Sequence, residues 1–172
     1  MRPFDYVEPE TLEEALEILA ADPDDTLVMA GGTSLVILMK QDLVRPQRVL
    51  GLRRIAQLRA IGTAGGGLNL GALATHGALA RSPAVRAHAD PAQDPPVTLL
   101  ALDGVAVAKS RFAERRIPLD ALFVDFFETS LERGEILLRV DLPPLPAGAR
   151  ATYKKFLPAT LDDYAAWVTA TK

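Results

Sequence analysis

The first fifty residues carry two different hydrophobic periods. Leu12, Ala15, Leu16 and Leu19 recur at three- and four-residue steps and so share one face of a helix. Both ends of that helix are marked. Thr11 and Glu14 have capping-box spacing, and Pro23 stops the run. "TLVMA" (26–30) then reads as a short buried strand, "SLVILMK" (34–40) as the start of a helix, and "QRVLGL" (47–52) as the next strand. Helix, strand, loop, helix and strand in this order predict a small α/β lobe.

Past that point the pattern changes. "GTAGGG" (62–67) predicts a hairpin-type turn between "LRAI" and "LNLGAL". "THGALARSPAVRAHA" (75–89) reads as a helix interrupted at Pro83, and "DPAQDPP" (90–96) as a loop, because a residue before proline is pushed out of the helical region. "VTLLAL" (97–102) fits helix or strand equally, while "GVAVAKS" (104–110) alternates as a strand does. "GEILLRVDLP" (134–143) is a strand followed by a Pro/Gly linker, and "TYKKFL" and "YAAWVTATK" are further strand candidates.

Composition narrows the class. Of 172 residues, 49% are apolar and 24% charged, which is globular and not disordered. A net charge of −3 without a basic block argues against nucleic-acid or anionic-membrane partners. The absence of cysteine excludes disulfides, iron–sulfur ligation and thiol catalysis on this chain and points to a reducing compartment. "MRPFDYVEPE" lacks the basic-then-apolar order of a signal peptide, and no apolar run reaches the ~18 residues of a membrane span. The expectation is a cytoplasmic protein.

The candidate chemistry is concentrated in one place. Gly31-Gly32-Thr33-Ser34 follows a strand and precedes a helix, where glycines permit close backbone approach and free N–H groups favour an anion. The same residues also suit a plain turn capped by a hydroxyl. They do not form the GxGxxG fingerprint or a Walker loop. His76 and His88 have no carboxylates at ligand spacing, so no metal site is expected. Asp90, Asp94, Asp162 and Asp163 fit turn chemistry, and Ser82 and Ser110 lack a His/Asp setting. No catalytic residue is expected on the chain itself.

Taken together, "FDYVEPETLEEALEILA", "AGGTSLVILMKQDLVRPQRVLGL", "LNLGALATHGALARSPAVR", "DPAQDPPVTLLALDG" and "GEILLRVDLPPLP" resemble, in order, the FAD-binding medium subunit of the molybdenum hydroxylases. These are enzymes of the carbon monoxide dehydrogenase, xanthine dehydrogenase and aldehyde oxidoreductase type. The resemblance implies an α+β, two-lobed FAD-binding domain of the kind shared with vanillyl-alcohol oxidases. Its lobes would be residues 1–55 and 56–146, with 147–172 as the start of a shortened C-terminal domain. It also implies that the FAD pyrophosphate rests on Val28, Met29, Ala30, Gly31, Gly32, Thr33, Ser34 and Leu35. Asp94, Leu137, Lys155 and Tyr164 match further cofactor contacts. The implied partners are a molybdenum-cofactor large subunit and an iron–sulfur small subunit, which feeds electrons to the flavin.

Two departures accompany the resemblance. The family's second phosphate loop, of the type "RNRGTIGGNLAHADP", is absent, since "SPAVRAHAD" runs directly into "PAQDPP". Only the first two strands of the C-terminal domain follow. The expectation is therefore weakened FAD retention. The alternative is a docking module of the same family that has lost flavin.

Overall fold

The computed structural model describes residues 2–88, 95–125, 128–149, 152–156 and 167–171. Its first unit is a three-stranded parallel sheet in the order β1 (Asp5–Val7), β3 (Arg48–Gly51), β2 (Thr26–Met29), connected through α1 (Leu12–Ala21) and α2 (Thr33–Lys40). β3 is central, with Tyr6 opposite Val49 on one side and Val28 opposite Leu50 on the other. The strand β1 carries no periodic signal in its three residues, and only pairing with β3 defines it.

The helix α1 forms as its pattern predicts. Leu12, Ala15, Leu16 and Leu19 are all buried, and Thr11 Oγ1 accepts the Glu14 N–H at 3.2 Å. The reciprocal half of the cap is displaced by one residue, because the Glu14 carboxylate accepts from the Glu10 N–H rather than from that of Thr11. The chain leaves the helix at Asp22, which the following Pro23 holds out of the helical region.

A 3₁₀ turn (Ala56–Arg59) leads into a five-stranded antiparallel sheet. "LRAI" is thus mostly turn, and the strand begins only at its last residue. The sheet runs β4 (Ile61–Ala64), β5 (Gly67–Gly71), β10 (Ile136–Leu142), β6 (Val105–Lys109), β7 (Glu114–Pro118). Gly65 and Gly66, with φ of 57° and 81°, make the two-residue turn between β4 and β5, for which positive φ at both positions is required. Pro83 separates α3 (His76–Arg81) from α4 (Pro83–His88), and most of the ambiguous run 97–102 falls in the helix α5 (Pro95–Ala101), which also takes Pro95 and Pro96 from the segment expected as a loop, whose residues 90–94 lie outside the described residues. After β7 come α6 (Leu119–Leu122), β8 (Phe123–Asp125) and β9 (Glu128–Thr129), a stretch whose short elements lack a readable period. β11 (Thr152–Phe156) pairs antiparallel with β12 (Trp167–Thr171), which lies against α5.

One face of the large sheet is apolar. Leu68, Leu70 and Leu142 pack with Leu79 and Val85 of α3 and α4, while Ala106 and Ala108 pack with Ile117, Leu119 and Leu122. The other face bears Asn69, Arg139, Asp141 and Arg116. The two units meet in one core. Leu12, Leu16, Leu50 and Ile55 from the first lobe cluster with Leu58 and with Ile136 of β10. Burying these side chains from water fixes the lobes against each other.

Candidate cofactor site

The site is built at the carboxyl edge of the parallel sheet, where open α/β sheets place their ligands. Met29 ends β2 and its carbonyl accepts the Leu52 N–H at 3.0 Å, which ties the following turn to β3. Gly32 is the N-cap of α2 at φ 81°, ψ 0°, a left-handed conformation that glycine adopts without a Cβ penalty. No side chain caps the helix start. The first internal bond runs from the Val36 N–H to the Gly32 carbonyl at 3.0 Å, so the N–H groups of Thr33, Ser34 and Leu35 precede the helical ladder.

Of the two readings of GGTS, the hydroxyl-capped turn is therefore not formed. A capping hydroxyl must stand on the N-cap residue, and Thr33 and Ser34 lie one and two residues inside the helix. The two glycines also differ. A Cβ on Gly32 would lie 3.0 Å from Met29 Sδ and 3.3 Å from Val36 Cγ2, whereas one on Gly31 would meet nothing within 4 Å. Gly32 makes the turn, and Gly31 leaves open space in front of it. Ala30, Gly31, Thr33 and Ser34 are exposed, and Val28, Met29 and Leu35 are half-buried. An uncapped helix start behind an open glycine suits an anion such as a pyrophosphate.

The same edge carries a charged cluster that periodicity alone does not reveal. The Tyr6 hydroxyl donates to Glu8 at 2.8 Å and Arg53 Nε donates to the same oxygen at 2.6 Å. Together they hold the Glu8 carboxyl below its usual range. Gly51 permits this arrangement, since a Cβ there would fall 2.3 Å from Tyr6 Oη.

The other expected cofactor contacts do not all fall beside the turn. Leu137 lies opposite Ala108 on β10 and packs into the apolar cluster of Ala106, Ile117 and Leu119. Its neighbour Leu138 packs against the core shared by the two lobes, and the strand is irregular between Leu137 and Arg139. Lys155 stands on β11 opposite Val168. Asp94 and Tyr164 lie outside the described residues. Among the described residues, no group of His, Cys, Asp and Glu could hold a metal, and no helix is long and apolar enough to cross a membrane.

A parallel β-α-β lobe with a phosphate-ready helix start, joined through a common core to an antiparallel sheet, defines a two-lobed α+β cofactor-binding domain. The comparisons specify which one. The pattern of the "FAD binding domain in molybdopterin dehydrogenase" matches residues 2–89 and 87–145, and the chain belongs to that family. Its two matched pieces overlap at residues 87–89. The chain is 35% identical to the 6-hydroxypseudooxynicotine dehydrogenase complex subunit alpha of Paenarthrobacter nicotinovorans, over 89% of this chain and 61% of that protein. It is 26% identical to the carbon monoxide dehydrogenase medium chain of Hydrogenophaga pseudoflava, over 97% of this chain and 67% of the relative. The crystal structure of quinoline 2-oxidoreductase from Pseudomonas putida 86 superposes with a TM-score of 0.87 at 27% identity, covering 98% of this chain and 68% of that one. The chain thus spans roughly three fifths to two thirds of the length of these relatives. The alignment with the carbon monoxide dehydrogenase chain runs over 195 positions against 172 residues here, so the relative contains residues that this chain lacks.

Proposed function

We propose that this chain is the flavin-holding part of a molybdenum hydroxylase-type oxidoreductase. It takes electrons from an iron–sulfur partner subunit and passes them to an acceptor. Substrate oxidation and the iron–sulfur clusters would belong to partner subunits, a division with which the absence of cysteine here agrees. The observation that carries the reading is the uncapped start of α2 behind the open Gly31.

In this reading the segment Val28–Leu35 holds the pyrophosphate. The N–H groups of Thr33, Ser34 and Leu35 donate to it, and the helix dipole offsets its charge. Asp94, Leu137, Lys155 and Tyr164 would complete the flavin side. When bound, the flavin supplies the exchange between one- and two-electron transfer. The chain's own residues bind and orient it, and no acid–base step falls on them. We assign residues 1–55 and 56–146 to the two lobes and 147–172 to the start of a further unit.

The test is Gly31→Val. A side chain there enters open space in the free chain, so the fold is expected to survive while FAD binding falls. FAD titration by flavin fluorescence, with circular dichroism as the control for folding, reads both. Unchanged affinity in a folded Gly31→Val protein refutes the placement.

A further inference from the structure

The turn joining β6 to β7 carries the most exposed large apolar side chain among the described residues. Phe112 is 88% exposed. Its backbone is nonetheless fixed. The Ser110 N–H donates to the Ala113 carbonyl at 2.9 Å, and Ser110 Oγ accepts the N–H groups of Phe112 and Ala113 at 3.3 and 3.2 Å. The ring is therefore held out into solvent on a preformed turn, which lowers the entropy cost of any contact it makes. Lys109 and Arg111 flank it, and neither forms an ion pair with a described residue. Glu114, across the turn, lies 3.7 Å from Arg139 and is already engaged. The tip is thus an aromatic knob with cationic flanks.

A pocket of about 150 Å³ lies at the far end of the same two strands. Leu100, Pro118 and Leu119 give it apolar walls, and the exposed Asp103 and Asp120 make it acidic. Gly104 lets the end of α5 and the start of α6 close on each other. A Cβ there would fall 2.7 Å from Leu119 Cδ1 and 2.8 Å from the Leu99 carbonyl oxygen, and the Gly104 carbonyl accepts the Leu119 N–H at 2.9 Å. An apolar cavity of about this volume holds a benzene-sized ring. With two carboxylates beside it, the pocket suits an aromatic ring carried by a cationic segment.

Phe112 cannot reach the pocket of its own chain. β6 and β7 pair from Lys109 and Glu114 at the turn to Val105 and Pro118 beside the pocket. Five residues of strand hold the two features about 17 Å apart. The ring that fits must come from another molecule, and a second copy supplies one with the matching charge.

We propose that the Phe112 turn of one copy docks in the pocket between α5 and α6 of a second copy, with Lys109 and Arg111 facing Asp103 and Asp120. The two surfaces differ, so the contact is heterologous and joins chains head to tail. A single turn in one pocket is smaller than the interface of a stable dimer, so the association is weak and reversible. It does not rest on the flavin assignment.

Sedimentation equilibrium of the full chain, from the low micromolar to the millimolar range, tests this. The average mass of the wild type is expected to rise with concentration. Phe112→Ser and Asp120→Lys each damage one half of the contact at an exposed position. Both should keep the wild-type circular dichroism and associate about tenfold more weakly, the loss expected at an interface hot spot. Mixed together, the Asp120→Lys chain still supplies an intact tip and the Phe112→Ser chain an intact pocket. The mixture should form a dimer that grows no further, which only head-to-tail docking produces. A wild type that stays monomeric throughout, association unchanged by either substitution, or a mixture that stays monomeric would overturn the proposal.

Discussion

At the residue scale, Gly31 and Gly32 read alike in sequence but differ physically. Gly32→Ala forces a Cβ onto a φ of 81° and against Met29 Sδ, so it should cost stability by about 1–2 kcal/mol. Gly31→Ala should leave stability within about 0.5 kcal/mol. Denaturant unfolding of both variants checks this, and equal losses would mean that the turn is not held as described. A second residue-scale expectation concerns Glu135. It accepts two hydrogen bonds from Arg115, at 2.9 and 2.7 Å, and another from the Glu132 N–H at 2.7 Å. Arg115, foremost, and the Glu132 N–H outweigh the opposing effect of burial and hold the carboxyl below its ordinary range. The unfolded chain therefore binds a proton more readily than the folded one. The stabilisation is complete above the ordinary glutamate value of about 4.3 and is lost as pH falls through the lower folded value. Glu135→Gln should destabilise by about 2 kcal/mol at neutral pH, with the difference from wild type shrinking toward pH 3. Unfolding curves at both pH values measure it, and a pH-independent difference would show that the ionised pair is not the source.

At the element scale, α1 is the component both lobes depend on. Its buried stripe forms the shared core with Leu50, Ile55 and Ile136, so fraying at its start is felt across the molecule. Thr11→Ala removes the hydroxyl that accepts the Glu14 N–H and should cost about 1 kcal/mol. Thermal melts should show one cooperative shift, because the lobes share that core. A separate early transition of the first lobe would contradict the shared core. The helix α2 behaves differently. Leu35 to Met39 are all apolar, yet only Met39 is buried, so its register follows from the glycine turn and the strand before it.

At the scale of the whole molecule, the proposed lack of a second phosphate loop has an energetic consequence. Each charge-assisted hydrogen bond to a phosphate is worth roughly 1.5–3 kcal/mol, so losing two weakens FAD binding about a hundredfold or more. The protein is expected to lose most of its flavin on dialysis and to rebind it weakly. Absorbance of the flavin band before and after dialysis tests this. Stoichiometric retention would mean that another segment supplies the missing donors.

How much was legible follows from how local each signal is. The amphipathic stripe of α1, the strand–glycine–helix succession around Gly31, the existence of a hairpin turn within 62–67 (narrowed by the structure to Gly65–Gly66) and the family membership were all readable from residue order, because caps, turns and periodicity act within a few neighbours. Residue order alone could not choose between a hydroxyl-capped turn and an uncapped one at GGTS. That depended on Gly32 taking the N-cap position in a left-handed conformation, which the pairing of β2 with β3 sets up. Nor could it put Leu137 on the apolar face with Val140 instead of the face of Arg139, since a strand irregularity between Leu137 and Arg139 breaks the alternation that a period-two reading assumes. The strand β1, the Tyr6–Glu8–Arg53 cluster and the cleft lined by Leu12, Leu58 and Arg139 join residues distant in sequence. The first two form only when β1 pairs with β3 within the first lobe, and the cleft only once the two lobes are packed, because long-range pairing, not local propensity, brings their parts together.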